Sequence, residues 1–146
     1  MKLHEYQSKS LMAQCGIPVP DGRVASTSAE ARSLAEEMGG RVVVKAQVYA
    51  GGRGKGGGIK VCQDPAEAEQ AAVSLLGTNL VTPQTGPQGV PVNLVLIEEA
   101  SEIERELYLA IVVDGASRSP VVIASQAGGM EIEEVAETHP EMLLRE

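Results

Sequence analysis

The 146-residue sequence predicts an α+β fold with antiparallel strand pairs, and three observations predict it. Apolar, β-branched runs recur at 41–48, 92–98, 106–113 and 120–125, between stretches that carry helix start and stop signals. Their order is strand–loop–strand and strand–helix, not the steady alternation of a doubly wound parallel sheet. A glycine-rich segment at 50–58 opens a strand, whereas the glycine turn of a dinucleotide fold opens a helix.

Residues 4–15 read as a first helix, with Tyr6, Leu11, Met12 and Cys15 near helical spacing. Gly16 stops it, and Ile17-Pro18-Val19-Pro20-Asp21-Gly22 reads as a stiff linker with a turn. Thr27-Ser28-Ala29-Glu30 is a capping box, so 28–38 should be helical and end at Gly39-Gly40. The runs 41–48 and 59–62 are strands joined by the glycine segment as a hairpin. Asp64-Pro65-Ala66-Glu67 opens a third helix that runs to Leu76 and stops at Gly77, with proline in the first turn, where its missing N–H costs nothing. Three prolines and two glycines make 82–91 a long loop. Strands follow at 92–98 and 106–113, a turn at Asp114-Gly115, a strand at 120–125 and a short acidic helix at 132–138. The apolar Met142-Leu143-Leu144 beside the chain end, together with the 82–91 loop, suggests an exposed apolar face and a piece of something longer.

With no Trp, no Phe and three Tyr, the core must be Val, Leu, Ile and Ala. No stretch approaches the roughly 18 apolar residues of a membrane helix, and the start lacks a secretory h-region. Cys15 and Cys62 form no C-x-x-C pair and are expected to be reduced, buried and inert, which places the chain in a cytoplasmic or organelle-matrix setting. A net charge of −8 argues against wrapping nucleic acid, and no aromatic interleaves the basic loop. The bases are concentrated, however: residues 41–60 hold five (Arg41, Lys45, Arg53, Lys55 and Lys60) and no acid. A compact positive island in an acidic chain suits a small polyanion.

Six of the nine residues 50–58 are glycine, and Arg53 and Lys55 are among the rest. Glycine lets the backbone approach a ligand and turn N–H groups toward one point, which with two cations is what a triphosphate needs. A flexible linker or hairpin tip is the alternative. The P-loop pattern fails, because Tyr49 stands at its first glycine and Gly56 at its Ser/Thr. Gly52-x-Gly54-x-x-Gly57 does match G-x-G-x-x-G, a pattern that alone is weak evidence, and a glycine hairpin between antiparallel strands is the kind of flap that kinases lay over ATP. Lys45 follows three valines; it either faces solvent or is aimed at the α/β-phosphates. Glu98, Ser101 and Glu106, at the edges of apolar strands, are candidates for adenine and ribose contacts, against the alternative of a solvated acidic turn.

Several stretches in order carry a resemblance: Leu3-His4-Glu5-Tyr6-Gln7-Ser8-Lys9, Val44-Lys45-Ala46-Gln47, Ala50-Gly51-Gly52-Arg53-Gly54-Lys55, Leu80-Val81-Thr82, Gln84-Thr85, Pro91-Val92-Asn93, Arg105-Glu106-Leu107-Tyr108-Leu109 and Gly128-Gly129-Met130-Glu131-Ile132-Glu133-Glu134-Val135-Ala136. Together they resemble the N-terminal part of the beta subunits of ADP-forming succinate–CoA ligases, which are ATP-grasp proteins. The resemblance implies a first ATP-grasp subdomain at 21–98 with the glycine-rich flap, preceded by a helix and linker at 1–20 and followed by the beginning of a second subdomain at 99–146. It further implies that Lys45 contacts phosphate, that Gly52, Arg53 and Gly54 belong to the loop covering the phosphates, and that Glu98, Ser101 and Glu106 line adenine and ribose. Pro20 matches a position near the nucleotide entrance and favours ATP over GTP; Tyr49 departs from the histidine that many members carry there.

The family's Mg²⁺ ligands and its CoA-ligase domain lie beyond Glu146, so the resemblance implies ATP and Mg²⁺ in the intact enzyme, with no catalytic and no metal-binding residue in this stretch. It implies an alpha-subunit partner that carries a phosphohistidine, succinate and CoA as substrates, a place in the tricarboxylic acid cycle, and a cytoplasmic location, or the mitochondrial matrix in a eukaryote. His4 and His139 match no phosphohistidine motif and are expected in surface or capping roles. A malate–CoA ligase beta subunit, or a non-catalytic truncated subunit docking on an alpha partner, are the alternatives.

Overall fold

The computed structural model describes residues 2–129 and 132–146; Met1, and Met130 and Glu131 of the quoted 128–136 motif, lie outside the described residues. The chain divides into two units, 1–101 and 102–146.

The first unit is a four-stranded antiparallel sheet in the order β1-β6-β2-β3, formed by Gly22–Ala25 (β1), Val42–Ala46 (β2), Ile59–Cys62 (β3) and Val95–Glu99 (β6). Its helices start where the caps dictate. In α2 (Ser28–Glu37) the Glu30 N–H donates to Thr27 Oγ1 at 3.2 Å, and the Thr27 N–H donates to the Glu30 carboxylate at 3.2 Å. In α3 (Pro65–Leu75) the Glu67 N–H donates to Asp64 Oδ1 at 2.8 Å, and Pro65 occupies the first turn. Both helices present fully buried alanines (Ala31 and Ala35, Ala68 and Ala72) to Val42, Val44, Ala46, Val95 and Ile97, so small side chains let the helices lie close on one sheet face. The core is Val, Ile, Leu and Ala, as the composition requires. β2 alternates between buried and half-buried positions, which puts Val43 and Lys45 on the other face. There α1 (Glu5–Gln14) lies.

The second unit is a three-stranded antiparallel sheet, β7 (Tyr108–Asp114), β8 (Ser119–Ser125) and β9 (Leu143–Arg145), with α4 (Ile132–Thr138) between the last two strands.

The structure corrects the sequence reading in several places. β1 falls on residues read as a turn and unassigned chain; Gly-Arg-Val-Ala carries no alternation and is a strand only because it pairs with β6. Leu143–Arg145, read as a bare end, is a strand because β8 offers it an edge. The 82–91 loop is shorter than expected: Val90–Pro91 (β5) pairs with Asn79–Leu80 (β4). The strand expected from Val92 begins at Val95 instead. The first helix forms as expected, yet none of its residues is buried, and Leu11 and Met12 are exposed. Cys15, expected to be buried, caps that helix and is exposed; Cys62 is buried.

Candidate functional site

Lys45 reaches the α1 face of the sheet, where the antiparallel register sets Val43 opposite Glu98 and Lys45 opposite Leu96. Lys45 and Glu98 are therefore diagonal neighbours on one face. Glu98 is only 4% exposed, a burial that a carboxylate tolerates only with charged partners. Lys45 and Lys9 both donate to it, one to each oxygen.

A second carboxylate completes the cluster. Glu5, in the first turn of α1, accepts from Arg53 Nη2 at 2.7 Å and from Lys45 Nζ at 3.2 Å, and pairs with Lys9 Nζ at 3.3 Å. The other Arg53 nitrogen, Nη1, donates to the Ala46 carbonyl at 2.7 Å, which fixes the guanidinium to the end of β2. Burial raises the Glu5 carboxyl, but the Arg53 hydrogen bond and the charges of Arg53, Lys45 and Lys9 outweigh it and bring it down to about 2. Burial works against the Lys45 ammonium too, but the Glu98 and Glu5 carboxylates more than offset it, so its pKa lies above the usual lysine value.

The glycine segment joins β2 to β3 as the expected hairpin and is folded against the 80–84 segment. The Gly51 N–H donates to Gln84 Oε1 at 2.8 Å. A Cβ at Gly52 would sit 2.8 Å from Pro83 Cδ, one at Gly58 2.6 Å from Leu80, and one at Gly56 would collide with the Val81 carbonyl. Within the loop the Gly56, Gly57 and Gly58 amides donate to the carbonyls of Gly52, Gly54 and Arg53 at 3.1, 3.1 and 2.8 Å. Four glycine N–H groups are thereby committed to the protein. A Cβ at Gly54 would meet nothing within 4 Å.

Of the residues singled out in the sequence, Lys45, Arg53 and Glu98 come together, and Gly52 and Gly54 flank Arg53. Ser101 is exposed in the coil after β6, at the end of the first unit. Glu106 is exposed in the second unit, where Cβ atoms at Gly128 and Gly129 would collide with its carbonyl and carboxylate. Glu5 and Lys9 carried no role in the sequence reading; their spacing of four on a helix was the available signal. Gln47 was missed as well: almost fully buried, it accepts from the Tyr6 N–H at 3.2 Å and donates to the Lys45 carbonyl at 3.0 Å, tying α1 to β2. His4 precedes α1 in the expected capping position, its N–H donating to Gln7 Oε1 at 2.9 Å and its ring stacked 4.0 Å from Tyr49. His139 is exposed beside Glu141. Beneath α1 a cavity of about 370 Å³ is lined by Tyr6, Lys9, Pro20, Gly22 and Leu96, among others.

Mg²⁺ does not fit the cluster. Both carboxylates are already shared among three cations, and among the described residues no three His, Cys, Asp or Glu side chains are grouped to hold a metal. Among the described residues no helix is long and apolar enough to cross a membrane.

Residues 2–146 match the ATP-grasp domain family. The chain belongs to that family. It is 58% identical over 146 residues to the succinate–CoA ligase [ADP-forming] subunit beta of Solibacter usitatus, covering all of this chain and 38% of that one. The protein of the same name from Pelobacter propionicus is 56% identical, over 98% of this chain and 36% of the relative. The chain thus spans less than two fifths of the length of these relatives. Among solved structures, the dinucleotide-forming acetyl-coenzyme A synthetase 1 of Ca. Korarchaeum cryptofilum, in complex with coenzyme A and Ca-AMPCP, aligns with a TM-score of 0.70 at 22% identity, over 99% of this chain and 59% of that one. The ATP citrate lyase of Methanothrix soehngenii aligns with a TM-score of 0.70 at 20% identity, over 99% of this chain and 34% of that one. At these identities the likeness is one of fold, and it agrees with the α+β ATP-grasp architecture.

Proposed function

We propose that the chain is the nucleotide-binding part of the beta subunit of an ADP-forming succinate–CoA ligase, which converts succinate, CoA and ATP to succinyl-CoA, ADP and phosphate through a phosphohistidine on an alpha subunit. The observation that carries the reading is the convergence of Lys45 and Arg53 at the mouth of the glycine hairpin, in a chain 58% identical to a relative of that name. In this reading Lys45 and Arg53 hold the phosphates, and the backbone at Gly52 and Gly54 lies over them. Glu98, Ser101 and Glu106 serve the ribose and adenine side, and Glu98 also holds the Lys45 ammonium in place through its ion pair. Pro20, in the wall of the cavity under α1, marks the entrance and favours adenine. ATP supplies the phosphoryl group, and the Mg²⁺ ligands belong elsewhere in the intact enzyme.

Titrating ATP into the chain and its Lys45→Ala and Arg53→Ala variants tests this. Each variant removes a charge-assisted contact, so affinity should fall by about ten- to a hundred-fold. Circular dichroism establishes that the variants remain folded. Unchanged affinity in both folded variants would end the reading.

A further inference from the structure

We propose that Glu5 is a built-in competitor of the polyphosphate: its carboxylate engages the same Lys45 and Arg53 donors that the ligand needs, so that binding displaces Glu5 and loosens the first turn of α1. The proposal rests on the nucleotide-binding reading above.

Three observations carry it. The first is geometric. One Glu5 oxygen accepts from the Arg53 guanidinium at 2.7 Å, while the other accepts from Lys45 Nζ at 3.2 Å and lies 3.3 Å from Lys9 Nζ. One anion bridging a guanidinium and an ammonium is the arrangement a phosphate group makes with the same two side chains. The second is charge. With Glu5 and Glu98 both in place, Lys9, Lys45 and Arg53 present one net positive charge; with Glu5 withdrawn they present two. A multiply charged anion binds the second arrangement better.

The third is mobility. Glu98 cannot be the group that yields, because it sits on β6 between β1 and β2 and is almost fully buried. Glu5 sits on a helix with no fully buried residue, its first turns only half-buried. That helix is held by polar and ring contacts: Gln47 to the Tyr6 N–H, Lys9 to Glu98, Glu5 to its cations, and His4 against Tyr49. Releasing its first turn breaks contacts that are mostly polar and leaves the sheet core untouched. A glutamate carboxylate is fully ionised at neutral pH, and the neighbouring cations favour the charged form further, so Glu5 competes as a complete anion.

The affinity for polyphosphate is then reduced by the fraction of molecules in which Glu5 holds the cations, and by reciprocity the ligand weakens the hold of α1. The test is calorimetric titration of the full chain and its Glu5→Gln variant with ATP, together with hydrogen exchange on the parent. Glu5→Gln should bind ATP about ten-fold tighter, with a larger ATP-induced rise in melting temperature. In the parent, amides of the first turn of α1 should exchange faster with saturating ATP; this readout stands even if Glu5→Gln fails to fold. Equal or weaker binding by the folded variant, or protection of that turn by ATP, would overturn the proposal and leave the nucleotide reading intact; weaker binding would make Glu5 a positioning residue for Arg53. If neither protein binds ATP, the nucleotide reading fails and the proposal falls with it.

Discussion

The two sheets of this chain are built from the same kind of residue and are covered differently. In the first unit Val42, Val44, Val95 and Ile97 are essentially inaccessible, because two capped helices lay alanine faces on them. In the second, the alternating residues Leu109, Ile111 and Val113 of β7 are 70, 72 and 82% exposed. Strand-forming character is a local property of β-branched side chains, whereas burial depends on which element returns to the sheet. The loops of the first unit lead into helices of ten and eleven residues that return to it; among the described residues of the second unit, the one α-helix has seven.

Removing the same side chain from each sheet should have very different consequences. Ile97→Ala, at a fully buried site, should destabilise the chain by about 2–5 kcal/mol, because it leaves a cavity among Ala and Val side chains that cannot collapse into it. Ile111→Ala should change stability by no more than about 0.5 kcal/mol. Denaturant unfolding of the two variants provides the check, and comparable losses would show that the β7 face is covered in solution.

A smaller effect separates two glycines. A Cβ at Gly56 meets the Val81 carbonyl, so Gly56→Ala must push the glycine hairpin off the 80–84 segment, at about 1–3 kcal/mol. At Gly115, in the β7–β8 turn, a Cβ meets nothing within 4 Å, and Gly115→Ala should be near neutral. Thermal melts of both variants decide. If Gly56→Ala is also neutral, the loop is a loose flap and not a packed one.

How much of this was legible in the sequence follows from the range of each interaction. The capping box at Thr27, the N-cap at Asp64, the glycine stops and the hairpin around 50–58 involve residues a few positions apart, and all could be read. The alternation of β2 already put Lys45 on the face away from Val42 and Val44. What could not be read was the partner strand. β6 inserts between β1 and β2, and only that order makes Glu98 a diagonal neighbour of Lys45. The contribution of α1 was hidden for a related reason. Glu5 and Lys9 stand four apart, as many surface ion pairs do, and nothing local reveals that the helix sets them against a sheet face carrying a lysine and a buried carboxylate. Glu98 was read as a ribose or adenine contact, and its pairing with two lysines emerged only in the fold.

The smallest expected difference between the units is their response to acid. Both hold a carboxyl whose pKa lies below its ordinary value. For Glu5 burial acts upward but is overcome by Arg53 first, then Lys45 and Lys9, which bring it from 4.5 to about 2. For Asp114 the chief cause is the hydrogen bond from the Ser117 N–H, at 2.8 Å, with Arg145 adding to it. In each case the unfolded chain takes up the proton before the folded one does. The stabilisation is therefore complete above the ordinary pKa and is lost as pH falls below it, over roughly pH 4.5 to 2 for Glu5. The Glu5 contribution should be the larger, because its partners are three cations in a partly buried cluster while Asp114 lies at the surface, where solvent screens the pair. Melting temperature followed from pH 7 to pH 2 should fall less steeply below pH 4.5 in Glu5→Gln than in the parent, from a lower starting value at neutral pH. Asp114→Asn should track the parent closely. A flatter acid limb in Asp114→Asn than in Glu5→Gln would mean that the turn joining β7 and β8, and not the cation cluster, sets the acid sensitivity of the molecule.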